Sequence, residues 1–190
     1  MIAVGASSAE GLRNLCELLG EWPELEATVL IVLHRPWDAV THLREILQRH
    51  SRMPVCIADQ GQDLRSGCVY IGEPAKHLTM ISSLHGALTF DPMQLHRNRT
   101  VDLLFHSLAK YGAPHIIGIV LQGSLDDGAR GLAAIHDAGG CTMVITPAGF
   151  PDGMPNNAIG YDGPIDVIGS IKTIARAVEA AIDHKRSARS

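Results

Sequence analysis

Five consecutive apolar residues, Val29-Leu30-Ile31-Val32-Leu33, set the tightest limit on how this chain folds. A strand without polar alternates is covered on both faces, which implies a parallel sheet with helices above and below. The flanking segments agree. Residues 2–4 form a shorter run of the same kind, and Leu12, Leu15, Leu18 and Leu19 then recur at helical spacing. Helical spacing returns at 40–49, 101–110 and 128–138, with strand-like runs at 55–58, 116–121 and 142–145. A last strand is expected at 165–168, with Ser170 as N-cap of a closing helix over 171–183 and a frayed tail over 184–190. The stretch 147–163 is rich in turn formers and leaves room for one short helical turn.

One section differs in texture. Residues 68–71, 77–81 and 87–90 are short runs separated by Gly72, Pro74, Ser82, Ser83 and Gly86, a spacing that suggests antiparallel hairpin strands and a mixed sheet. The expected fold class is α/β: a doubly wound, mostly parallel sheet with an inserted antiparallel hairpin section and helices on both faces. With no repeat or linker, residues 1–190 read as a single domain.

Composition removes several function classes. At 46% hydrophobic residues the chain has ample material for a core. Its net charge of −4 is scattered, whereas nucleic-acid binding needs a concentrated basic face, so no nucleic-acid partner is expected. No apolar stretch approaches the roughly 20 residues of a membrane span, and the N-terminus lacks the basic region of a signal peptide. The cytoplasm is therefore the expected compartment, without membrane insertion. The four cysteines form no CxxC pair and the ten histidines show no HxxxH or HxH spacing, so no metal site is expected.

In an open parallel sheet, ligands bind beyond the carboxyl ends of the strands. After the first strand comes Gly5-Ala6-Ser7-Ser8, after the second His34-Arg35-Pro36, and after the strand ending at Leu121 comes Gln122-Gly123-Ser124-Leu125-Asp126-Asp127-Gly128. A hydroxyl, an imidazole and a carboxylate thus emerge at one edge. Serine needs a neighbouring base to become nucleophilic, and histidine titrates near neutrality. An acid on the far ring nitrogen fixes the tautomer. Taken singly, each has a plainer reading: Ser7 or Ser8 as a helix N-cap, His34 as a strand end, Asp126 or Asp127 as the cap of the helix starting at Gly128. A dinucleotide site is disfavoured, because GxGxxG would need glycine where Ser7 stands, and a phosphate loop fails for want of GK[ST].

Several segments, in order, resemble the catalytic domain of the chemotaxis protein-glutamate methylesterases. IAVGASSAEGL is similar to the strand and turn bearing that family's nucleophile, and VLIVLHRP to the strand bearing its histidine. CVYIGEPAKHL, HRNRTVDLLFHSLA, IGIVLQGSLDDGARGLAAIHDAGG and FPDGMPNNAI follow in family order. The resemblance implies Ser7 as nucleophile, His34 as base and Asp127 as orienting acid, with backbone oxyanion donors at Ser8 and Ser124. It implies hydrolysis of γ-glutamyl methyl esters on the cytoplasmic helices of methyl-accepting chemoreceptors, often with deamidation of particular glutamines. Water is the only co-substrate, no cofactor is implied, and a receiver domain in cis or trans is the expected regulatory partner; none is expected ahead of Met1. Glu10, His77, Arg97, Arg99 and Met154 are candidate substrate contacts. Ala9-Glu10 stands where the family carries a glycine pair, and Ser124-Leu125 departs from the family's loop. These departures leave two other readings: a catalytically weak receptor-binding adaptor, or an esterase of the same fold with another methylated substrate.

Overall fold

The apolar runs become the middle of a wholly parallel sheet. The computed structural model describes residues 1–34, 42–72, 76–82, 85–90, 99–111, 115–124, 126–148, 152–161 and 163–187. In chain order the elements are β1 (Ile2–Ser7), α1 (Ser8–Glu21), β2 (Val29–His34), α2 (Leu43–Gln48), β3 (Val55–Ile57), β4 (Val69–Ile71), β5 (Lys76–Met80), β6 (Gly86–Phe90), α3 (Thr100–Tyr111), β7 (Ile117–Val120), α4 (Ala129–Asp137), β8 (Cys141–Ile145), α5 (Met154–Gly160), β9 (Val167–Gly169) and α6 (Ile171–Ser187). The seven-stranded sheet has the order β3-β4-β2-β1-β7-β8-β9, and β5 pairs with β6 in a separate two-stranded sheet.

The doubly wound α/β expectation therefore holds, with two corrections. The run at 68–71 is not a hairpin strand: β4 lies between β2 and β3 and pairs parallel with both. Its side chains show why. Val69 and Ile71 enter the core on one face while Tyr70 enters the core on the other, as in any doubly covered strand. Flanking glycines look the same in sequence whether they begin a hairpin or a crossover. Consequently the hairpin does not make the main sheet mixed. The second correction is at the C-terminus, where α6 continues to Ser187 rather than fraying from His184. Ser170 does cap α6, its Oγ accepting the Thr173 N–H at 3.2 Å.

Strand alternation divides the core. Ile2, Val4, Val29 and Ile31 pack with Leu15, Leu18, Trp22, Ile174 and Val178 of the α1–α6 side. Ala3, Leu30 and Val32 pack with Leu104, Phe105, Leu132 and Ile135 of the α3–α4 side, which the β5–β6 hairpin joins through Leu78, Met80 and Leu88. By the same alternation Ser7 and His34 face the α3–α4 side.

Gly5 sets how closely that side approaches β1. A Cβ at Gly5 would stand 2.2 Å from Cγ1 of Val101, in the first turn of α3. The start of α3 thus lies directly on the strand that ends in Ser7. Gly5→Ala is expected to cost about 1–3 kcal/mol through overpacking, read as a lower urea midpoint at unchanged slope; an unchanged midpoint would show that Val101 is not held against β1.

Candidate active site

β1 leads straight into α1. Ser7 keeps an extended backbone (φ −144°, ψ 164°), and the chain reverses at Ser8, whose φ of 69° is left-handed. A non-glycine residue there stores strain on the order of 1 kcal/mol. Ser7 holds the N-cap position of α1, but its hydroxyl makes no capping bond. Its Oγ instead accepts the Ser124 N–H at 3.1 Å. Capping therefore does not explain this buried hydroxyl, which is 2% exposed. Ser8 is exposed, and its N–H belongs to the first turn of α1, where amides have no partner within the helix.

The topology brings these groups together. From β1 the chain winds to β2 on one side, while β7 lies on the other side of β1 and leads on to β8. The switch point thus falls between β1 and β7, and the Ser124–Ser7 bond spans it. Ser7 and His34 are direct partners in the β1–β2 register. Asp127 completes the cluster: its Oδ2 is 3.8 Å from His34 Nε2, with the carboxylate buried and the imidazole 13% exposed. The neighbouring Asp126 is 63% exposed and turns toward Arg99 instead, at 3.8 Å.

One peptide unit links Ser7 to α5. The unit joining Gly123 to Ser124 gives its N–H to Ser7 Oγ, and its C=O accepts the Met154 N–H at 2.9 Å. Its orientation is therefore fixed from both ends. No side chain fits at Gly123, where a Cβ would meet Met154 Sδ at 2.4 Å and Ser7 Oγ at 2.7 Å. Met154 is completely buried, so it supports the loop from beneath rather than meeting a substrate.

The other candidates lie at varying remove. Glu10 is ion-paired with Arg13 one turn along α1 at 2.7 Å, so its charge is partly answered within the helix. Arg99 sends Nη1 to Asp102 Oδ2 at 3.3 Å and to the Asp126 carbonyl at 3.4 Å. His77 lies on the hairpin opposite Thr89. Arg97, His96 and Leu125 lie outside the described residues. Sequence reasoning also missed a second serine–histidine–aspartate chain, in which Ser82 Oγ meets His85 Nδ1 at 2.7 Å and His85 Nε2 meets Asp63 Oδ1 at 2.7 Å. Asp63 is 79% exposed, and this chain sits at the hairpin tip, away from the switch point. No local motif announces it, because Asp63 reaches His85 only through an isolated antiparallel bridge.

Asp127 is held by opposing forces. Burial pushes its carboxyl up from 3.8 to about 6, against the N–H groups of Val101 and Asp102, which favour the anion. The Asp102 charge raises it further and Arg99 lowers it. These amides open α3, so the helix dipole adds to their effect.

A parallel sheet with helices on both faces, gathering a hydroxyl, an imidazole and a buried carboxylate at its switch point, defines a doubly wound α/β domain with its candidate site at the strand ends. The chain belongs to the CheB methylesterase family, whose sequence model matches residues 2–178. Protein-glutamate methylesterase/protein-glutamine glutaminase 3 of Rhodopseudomonas palustris is 30% identical over 189 residues, covering 97% of this chain and 51% of the relative. The Salmonella typhimurium protein-glutamate methylesterase/protein-glutamine glutaminase is 31% identical over 176 residues, covering 88% of this chain and 49% of the relative. The chain thus spans about half the length of the curated relatives it matches. The crystal structure of the Thermotoga maritima CheB methylesterase catalytic domain superposes with a TM-score of 0.81 at 25% identity, covering 96% of this chain and 97% of that one.

Because the folded protein holds a proton on Asp127 more tightly than an unfolded chain does, this group's contribution to stability is complete below about pH 4. It is lost as pH rises through about 6. Relative to Asp127→Asn, the wild type is expected to lose on the order of 2–3 kcal/mol between pH 4 and pH 7, measured by urea denaturation at both values. Parallel stability curves for the two proteins would contradict the assignment of a buried, destabilised anion.

Proposed function

We propose that this chain is a serine carboxyl-ester hydrolase that removes methyl groups from glutamate γ-methyl esters on the cytoplasmic helices of chemoreceptors, and so works in the cytoplasm. The observation that carries this reading is the meeting of Ser7, His34 and Asp127 at the β1–β7 switch point with a backbone amide already on the serine hydroxyl. Family membership supports the choice of ester. The names of the relatives add glutamine deamidation, the same acyl transfer with ammonia as leaving group.

In this mechanism Ser7 Oγ attacks the ester carbonyl carbon while His34 takes its proton. With Nε2 turned to Asp127, the nitrogen that receives the proton is Nδ1; the reversed ring exchanges the two roles. Asp127, as the anion, stabilises the imidazolium. The 3.8 Å separation is long for a hydrogen bond and shortens once His34 is charged. Negative charge on the former carbonyl oxygen is met by the Ser124 N–H and by that of Ser8. Ser124 already reaches Oγ, so a small shift of the same amide serves the oxyanion bonded to the same carbon. The imidazolium returns its proton to methoxide, methanol leaves, and water repeats the sequence on the acyl-enzyme. The role needs the Asp127 anion, so activity falls as pH drops below about 6, where the carboxylate is lost.

Methanol release from radiolabelled methylated chemoreceptor tests the reading. Wild type is expected to release label, Ser7→Ala to lose roughly three or more orders of magnitude in kcat with its fold intact, and Asp127→Asn to lose less but still heavily. Full activity in Ser7→Ala would overturn the site, and no release by folded wild type would overturn the substrate.

A further inference from the structure

The acid that faces His34 belongs to a larger arrangement that the mechanism above does not use. Asp127 immediately precedes Gly128, the N-cap of α4, yet both its oxygens serve α3: Oδ2 accepts the Val101 N–H at 2.9 Å and Oδ1 the Asp102 N–H at 2.8 Å. Asp102 lies in the first turn of α3, yet its Oδ1 serves α4, accepting the N–H groups of Gly128 at 3.0 Å and Gly131 at 2.8 Å. Each carboxylate caps the other's helix. The caps therefore form a closed circuit. The main chain of Asp102 holds the Asp127 side chain, and the Asp102 side chain holds the peptide that follows Asp127.

Local capping does not require this. Asparagine or serine satisfies helix amides nearly as well as aspartate, without a second buried charge. Asp102 is 4% exposed, and placing its charge beside Asp127 costs free energy, against which the α4 N-terminus and Arg99, at 3.3 Å from Oδ2, act. Asp102 also sits one residue from Val101, which packs against Gly5 of the nucleophile strand. A shift of Asp102 would therefore move the acid and the α3 contact with β1 together.

We propose that Asp102 is a positioning residue of the active site, whose carboxylate closes the crossed cap and thereby sets where Asp127 stands against His34. The inference rests on the proposed function, since it assigns Asp102 a part in that same site. It is independent of substrate identity, because Asp102 reaches the chemistry only through Asp127. Among the described residues, the charged and titratable groups around Asp127 are His34 from β2, Asp102 from α3, Arg99 just before α3, and Asp126 beside it in the loop.

Asp102→Asn keeps an oxygen for the Gly128 and Gly131 amides while removing the charge, and Asp102→Ala removes the cap. Per folded protein, judged by near-ultraviolet circular dichroism, Asp102→Ala is expected to lower kcat on a glutamate γ-methyl ester peptide roughly 10- to 100-fold, with KM within about threefold, and Asp102→Asn, which keeps the cap, to lose less. The acid limb of Asp102→Asn is expected to move to lower pH, because burial, the main force raising the Asp127 carboxyl, is then no longer reinforced by the Asp102 charge. Asp102→Ala is also expected to lose stability. Reduced stability with wild-type kcat and an unmoved pH profile in both variants would overturn the proposal and leave Asp102 a structural cap. A second readout needs no turnover: the carbon-13 carboxyl titration of Asp127 should shift to lower pH in Asp102→Asn. An unchanged midpoint there defeats the inference even if the esterase is active. An inactive wild type with a shifted midpoint would instead defeat the proposed function, leaving the crossed cap as an electrostatic fact without a catalytic role.

Discussion

The parting of the chain between β1 and β7 is the constraint on which the rest of the site depends. Strands on either side of that line feed crossovers in opposite directions, so a crevice opens at their carboxyl ends. The Ser7 N–H reaches the Gln122 carbonyl across that line at 3.1 Å, and beyond it the Ser124 amide reaches the Ser7 hydroxyl. Everything nearby controls that bond or the groups beside it. Register places His34 next to Ser7, the missing side chain at Gly5 lets α3 reach the strand, and the absence of one at Gly123 lets Met154 hold the amide from below.

Burial and helix amides act against each other at Asp127. Burial pushes the acid toward its protonated form, which cannot stabilise an imidazolium. Two amides at the start of α3 favour the anion, and the balance leaves the carboxyl near 6, ionised at neutral pH but only narrowly. In the proposed mechanism an acid poised in this way holds its charge once His34 gains a proton, because the new cation stands beside it. The same poise makes the site a source of instability in the folded protein, a common cost of preorganised charge.

Much of this was legible in the sequence, for identifiable reasons. The unbroken apolar run at 29–33 was enough to require a parallel sheet, and the rule on strand ends then pointed to Ser7, His34 and the acid-bearing loop. Sequence did not separate Asp126 from Asp127 without a family resemblance; the structure separates them by burial, one turned to solvent and the other under α3. β4 was misread because its glycine flanks are common to hairpins and crossovers, and only its two-sided burial distinguishes them. The crossed caps were invisible for a different reason. Capping rules look a few residues along the chain, whereas Asp102 and Asp127 each act some twenty-five residues away.

Mapping the covalent adduct of a fluorophosphonate ester tests the central claim most directly, because the described residues include two serine–histidine–aspartate chains and only one can be the reacting centre. Ser82 has the shorter contacts, but its aspartate is open to solvent, where a carboxylate does little for an imidazole. Ser7 has the amide donor and the buried acid. The account requires a single adduct in the tryptic peptide Met1–Arg13, resolved by fragmentation to Ser7 and absent after denaturation before labelling. An adduct on Ser82, or on Ser8 in place of Ser7, would contradict it.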